Sequence, residues 1–444
     1  MTVQQAVRNA SSLVVKDAMQ RLKDQHLLWG RWLGVRNHYT LDTIVRIEQD
    51  IKSNCPPISS QLSEYIAASA VLHCFDGWSY LARAVDSLLD GDTPTAVHLA
   101  YYAELRATMS FLASDGIGVF SFQHCWIDST GVGHFFNGPG THRLVWDAIR
   151  EWAAYPAKSV QLLDLFQVSG RSFTEWLRAA GYPPGSLPTT RLAEHWLKDW
   201  SLDLNVLEED RHFRNDVSYR PQRMRTYSSS KPLIETLIRI IEFWQVCEPS
   251  ASERFSLLDR YLLRQALEST YRMRTGRTYL GKPFRRFIEN AMANLGVSPS
   301  GVLKDFLLRH RARVNHPLLI EAKKKGRDRN RNLRPLAIIA RAILLLRLAS
   351  AAAEDMLNSR GVTQVDLGFW WRDLGESIGL WETSAAPGQM ADLWADIELV
   401  IDDVMQWCNT TATSTSTIQA RQQWAFELWQ LAQFQRAGLW AIGL

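Results

Sequence analysis

Two polar stretches hold the residues whose types and spacing suit chemistry. The first, from Glu208 to Pro221, sets Arg211, His212, Arg214, Asn215, Asp216, Tyr219 and Arg220 in an otherwise apolar, helix-patterned region. The second, from Arg309 to Pro317, contains Arg309, Arg311, Arg313, Asn315 and His316 and also ends at a proline. Arginine is permanently charged and grips phosphate oxygens with a planar fork. Histidine gives or takes a proton near neutral pH. Cleaving RNA without a metal asks for a base at the ribose 2′-hydroxyl, a cation at the charged transition state and an acid at the leaving oxygen. The same residues also have a purely structural reading. Arg214 then pairs with Glu104 or Glu208, Asn215 caps a turn, and His316 ends a helix, because a residue before proline disfavours helical geometry.

These residues sit in a chain of 444 residues, 46% hydrophobic and 22% charged. That is the balance of a soluble globular protein with room for two or three domains. Many of its 18 tryptophans sit at helical spacing, as large core side chains do. Cys55, Cys74, Cys125, Cys247 and Cys408 are scattered and odd in number, without a CxxC pair. This fits a reducing cytoplasm better than a disulfide framework or a zinc site. His73-Cys74 and His124-Cys125 are neighbours whose side chains diverge on a helix, so no metal and no other cofactor is expected. The start of the chain lacks the pattern of a signal peptide. The most apolar run, Leu336 to Ala353, carries Arg341 and Arg347 and reads as a buried helix rather than a membrane span. A cytoplasmic protein without a membrane partner is the expectation. No Walker loop, HExxH or nucleophile elbow occurs, which argues against a nucleotide hydrolase, a zinc protease and an α/β-hydrolase.

The net charge of +4 conceals an asymmetry. Basic residues crowd between Arg309 and Arg334, and acids dominate from Gly361 onward. The basic segment suits either a polyanion or an acidic protein surface. In the first case Lys323, Lys324, Lys325, Arg327, Arg329 and Arg331 are the candidate nucleic-acid contacts.

Helical periodicity runs through most of the chain and predicts a mainly α fold of multi-helix bundles. A glycine-rich, β-branched insertion near 115–140 reads as one short hairpin or irregular loop. Helices are expected at 158–168 and 171–181, on either side of a short break. Asp92 or Thr93, followed by Pro94, marks the start of a helix reaching Ala113. Glu104 lies within it among apolar residues and needs a partner, for which Arg214 is a candidate. The chain divides into an N-terminal helical layer (1–72), a helical domain with the insertion (73–247), a basic helical unit (253–358) and acidic, Trp-rich helices (360–444).

The helix from His98 to Ala113 resembles a core helix of HEPN domains, and Arg214-Asn215 resembles the Arg-Asn…His signature of that superfamily. In the first unit Tyr219 stands where the signature has histidine. In the second, Arg311 and His316 keep the Arg-x4-His spacing, with Ala312 in place of the polar residue. The resemblance implies helical bundles in 73–247 and, more distantly, 253–358. It also implies a metal-independent endoribonuclease of the kind found in prokaryotic antiviral defence and toxin systems. Arg311 and His316 would supply charge and proton transfer, with Arg214, Asn215 and Tyr219 as phosphate or orienting contacts. HEPN sites form where two motifs face each other, so the partners implied are RNA and a second motif, from this chain or a homodimer. Two other readings stand beside this one. One is a non-catalytic scaffold or regulatory subunit with a protein partner. The other is a nucleic-acid binder that uses the basic loop at 309–334.

Overall fold

The computed structural model describes residues 2–182, 191–219, 232–250, 253–298, 301–309, 315–328, 332–410 and 417–442. Arg311, Arg329 and Arg331 lie outside them. The fold is mainly α, with a short β insertion, as the periodicity predicts.

Three long helices form its centre: α4 (Ser59–Leu89), α5 (Thr93–Ser114) and α16 (Pro335–Asn358). Asp92 caps α5 by accepting the Thr95 N–H at 3.2 Å, and Pro94 lies in the first turn. Helix α4 continues through Gly77, where an added Cβ would lie 2.7 Å from Leu346 of α16. That glycine lets the two helices cross closely. Helix α16 is apolar on all sides, and its most apolar window is entirely buried inside the fold. By length and composition alone it would also suit a membrane span. Its Arg347 makes two hydrogen bonds to the Asp259 carboxylate, at 2.9 and 2.7 Å. Asp259 belongs to α12 (Ser256–Thr275).

The four sequence segments share one continuous hydrophobic core. From the C-terminal part, α19 (Thr417–Ala432) and α20 (Gln435–Ala441) lie against α4. Trp78 of α4 donates to Ser350 Oγ of α16 at 3.1 Å. Trp440 donates to the Cys247 carbonyl at 3.0 Å, and Trp244 to that of Leu431 at 2.8 Å. Trp78, Trp152, Trp196, Trp244 and Trp440 are fully buried, so the tryptophans largely fill the core.

The insertion is a three-stranded antiparallel meander, β1 (Ile117–Phe120), β2 (Gln123–Ile127) and β3 (Gly133–Asn137). It leads into α6 (Thr141–Ala154). The helices expected at 158–168 and 171–181 are shorter, α7 (Lys158–Asp164) and α8 (Phe173–Ala179). Between them β4 (Gln167–Val168) and β5 (Arg171–Ser172) form a small hairpin. Ser169 and Gly170 turn it with φ of 55° and 69°. A Ser-Gly pair is a turn signal, and here it overrides helical periodicity.

Candidate functional site

Helix α10 (Leu204–Tyr219) contains most of the first polar stretch. Arg214-Asn215 lies within its later turns. The helix is held on two sides. On one side is α5, with which it shares a fully buried ionic cluster. Arg341 of α16 reaches Asp210 at 2.6 Å and Glu104 at 3.6 Å. Its guanidinium also donates to the Ala322 and Lys324 carbonyls at 2.9 and 2.6 Å. Burial pushes both carboxyl groups up from their ordinary range, and for Glu104 the neighbouring Asp210 adds to the effect. The partner of Glu104 is therefore Arg341, with Asp210 beside it, and not Arg214.

On the other side is the basic loop. Lys325 pairs with Glu209 at 2.8 Å and Arg327 with Asp216 at 3.0 Å. Gly326 sits between them, where a Cβ would meet Phe213 at 2.7 Å and Asp210 at 2.9 Å. Lys324 pairs with Glu321 at 2.7 Å, and Lys323 is exposed. The acids that receive Lys325 and Arg327 are those of α10, so the basic segment meets the first polar stretch through ion pairs.

The face of α10 toward α5 and α6 carries Arg211, Arg214, Asn215 and Ser218. These recur at steps of three and four residues, which places them on one helix face. Arg214 is 7% exposed. It donates to Asn215 Oδ1 at 2.9 Å, to Tyr219 Oη at 3.4 Å and to Tyr102 Oη. Its guanidinium also lies 5.1 Å from the Tyr102 ring centroid and 5.4 Å from that of Tyr219. Glu208 is engaged elsewhere, by Arg150 at 2.9 Å and Arg211 at 3.5 Å. Tyr219, in the histidine position of the signature, is 70% exposed.

Beside this cluster opens a cleft of about 1080 Å³ between α3 (Thr43–Lys52), α4, α5, β1, α6 and α10. Arg106, Arg143 and Arg211 line it, together with Tyr102 and His142. Arg106 pairs with Asp76 at 2.8 Å and meets His73 Nδ1 at 3.3 Å. Arg143 is mostly exposed and lies 3.6 Å from Asp147. His142 Nδ1 engages Tyr101 Oη at 3.1 Å, and Nε2 makes no hydrogen bond among the described residues. Burial, followed by the charges of Arg214, Arg211 and Arg106, pushes the His142 imidazole down to about 4. Burial and then Arg106 push His73 down to about 3. At neutral pH both rings are uncharged, so His142 can accept a proton but not donate one as a cation. His98, 2.6 Å from Ser218 Oγ, is shifted the same way by burial and by Arg214.

His316 is placed differently. It is 6% exposed and caps α15 (Pro317–Ala322), its Nδ1 accepting the Leu318 N–H at 3.2 Å. Its ring centroid stands 5.5 Å from that of Tyr261. Burial, then Arg239 and Arg309, push it down to about 4. No contact among the described residues joins it to Arg214. His212 is exposed at the surface of α10. In the insertion, His124 Nδ1 accepts the Phe120 N–H at 3.2 Å, and Nε2 lies 3.0 Å from the Pro139 carbonyl. His134 pairs with Asp128 at 2.7 Å. Among the described residues no group of three or more histidine, cysteine or acidic side chains is arranged to hold a metal ion.

Spacing along the chain does not mark His142, Tyr102, Arg143 and Arg211 as a set. One signal was available. His98, Tyr102 and Arg106 recur every four residues on the largely apolar α5 and so share one face.

No family model, curated protein or solved structure matches the chain.

Proposed function

We propose that the chain is a metal-independent endoribonuclease of HEPN type, with its phosphate site in the cleft between α5, α6 and α10. One observation carries this reading. Three arginines line a single open cleft, with Arg214 behind Tyr102 and an uncharged His142 alongside. Arg106, Arg143 and Arg211 suit the non-bridging oxygens of a phosphodiester. Arg214 is a positioning residue that orients Tyr102, Asn215 and Tyr219. His142 Nε2 is the candidate acceptor of the 2′-hydroxyl proton; the 2′-oxygen then attacks phosphorus, and the expelled 5′-oxygen takes its proton from water in the open cleft. A bound phosphate anion offsets the nearby arginine charges and so raises the basicity of that ring. This reading does not use His316, whose Nδ1 is committed to capping α15.

The test is incubation of the full chain with total RNA in EDTA, comparing wild type with Arg211→Ala and His142→Gln. Cleavage by wild type is expected, with a loss of about a hundredfold in either variant, the usual cost of removing one transition-state contact. Intact RNA at high protein concentration would overturn the reading.

A second reading, a non-catalytic scaffold, is favoured by the engagement of Arg214 with three side chains of its own chain. Intact RNA together with a stoichiometric co-purifying protein would support it.

A further inference from the structure

The cleft changes character along α5. One end has Tyr102 and Arg106 on α5, with Arg143 and Arg211 contributed by α6 and α10. The other has Met109 on α5, Val119 and Phe120 of β1 and Tyr65 of α4, while Phe122 of the β1–β2 turn lies on Gly140 just before α6. Tyr102 and Met109 are about 10 Å apart along the helix axis, close to the reach from a phosphodiester to the far edge of its own base. Tyr65 and Phe120 stand 5.8 Å apart, centroid to centroid. Phe122 is 61% exposed at the cleft mouth, held there over Gly140, where a Cβ would lie 3.3 Å from its ring. Ile44 of α3, 44% exposed, lines the same cleft.

We propose that the apolar end is a subsite for an unpaired nucleobase of RNA, with the adjoining phosphate at the arginine end. The proposal rests on the RNA reading of this cleft and specifies the form of RNA it accepts. A purely apolar ligand has no use for three arginines, and a bare phosphate has none for the aromatic wall. A nucleotide offers both groups at the required separation. A duplex does not, because its bases are stacked inside and its readable surface is backbone and shallow groove. An unpaired base is free to enter and stack on Phe122 or Tyr65, as bases do on aromatic side chains in single-strand binders. The volume of about 1080 Å³ is ample for a nucleotide.

The test is fluorescence polarisation with a short labelled RNA made of 2′-O-methyl nucleotides, so that it binds without being cut. It is presented unpaired, annealed to its complement, and unpaired with abasic positions. Wild type, Phe122→Ala and Ile44→Ser are compared; both side chains are substantially exposed, so neither change should endanger folding. The unpaired strand is expected to bind about tenfold more tightly than the duplex, and Phe122→Ala and the abasic strand are each expected to lose about tenfold. Ile44→Ser weakens the unpaired strand alone. Equal affinity for all three RNAs, or no binding to any, overturns the subsite. Binding of the unpaired strand without cleavage of ordinary RNA leaves the subsite standing and removes the nuclease reading. Cleavage that ignores base pairing does the reverse.

Discussion

At the scale of single residues, burial decides what each polar group can do. His142 and His316 are both pushed down to about 4, yet one lines an open cleft and the other is an enclosed helix cap. The cap gives a pH prediction. An ordinary histidine in the unfolded chain takes a proton below about 6.5, whereas folded His316 stays neutral down to about 4. Between those values the unfolded state binds the extra proton, so His316 lowers stability as pH falls through that window and leaves it unaffected above. The loss approaches about 3 kcal/mol near pH 4. Asparagine caps helices without titrating. His316→Asn is therefore expected to flatten the fall in melting temperature between pH 6.5 and 4 relative to wild type, and to keep any ribonuclease activity. Equal slopes in the two proteins would refute the assignment. Arg214→Ala removes charge-assisted hydrogen bonds to Tyr102 and Asn215. It should cost about 1.5–3 kcal/mol in chemical denaturation and reduce cleavage with it.

At the scale of elements, α10 is positioned by charge as well as by packing. The Glu104–Arg341–Asp210 cluster joins α5, α10 and α16 where no water reaches. Removing the central cation leaves two adjacent carboxyl groups buried without a counter-charge. Arg341→Met is expected to destabilise the protein by about 3–5 kcal/mol, read from urea midpoints. An unchanged midpoint would mean that the cluster relaxes without it. On the other face, Gly326→Ala pushes against Phe213 and Asp210 and should lift the basic loop from α10. Overpacking of this kind costs about 1–3 kcal/mol, and proteolysis of the basic segment should become faster.

At the scale of the whole molecule, one hydrophobic core runs across all four sequence segments, and buried tryptophans tie several of its helices together. Trp78 hydrogen-bonds to α16, Trp244 to α19, and Trp440 to Cys247 just past α11 (Leu233–Gln245). A fragment spanning 73–247 would expose the faces of α4 and α5 that α16 and α20 cover. It is expected to lose near-ultraviolet circular dichroism and aggregate, and a monomeric fragment with native dichroism would contradict this. Charge acts at the same scale. Log affinity for RNA should fall linearly with log salt, and Arg143→Ala with Arg211→Ala should each reduce that slope by roughly one counterion.

The amino-acid sequence by itself determined the secondary structure of most of the chain. Periodic apolar residues, the Asp92 cap with Pro94, and the glycine-rich insertion all report local backbone preferences, and those survive without knowledge of distant partners. It also marked α16 as buried despite its length, because arginine inside an apolar run needs a buried acid. Which acid was a different matter. Arg341 found Asp210 and Glu104, and Lys325 and Arg327 found Glu209 and Asp216, all more than a hundred positions away. Helical spacing fixes only which side chains share a face, and the neighbour of that face is set by how the bundle closes. The same holds for the cleft. Arg214 and Asn215 were visible as a motif, but His142, Arg143 and Arg106 join them from α6 and α5 only when the tertiary fold brings three helices together around one opening.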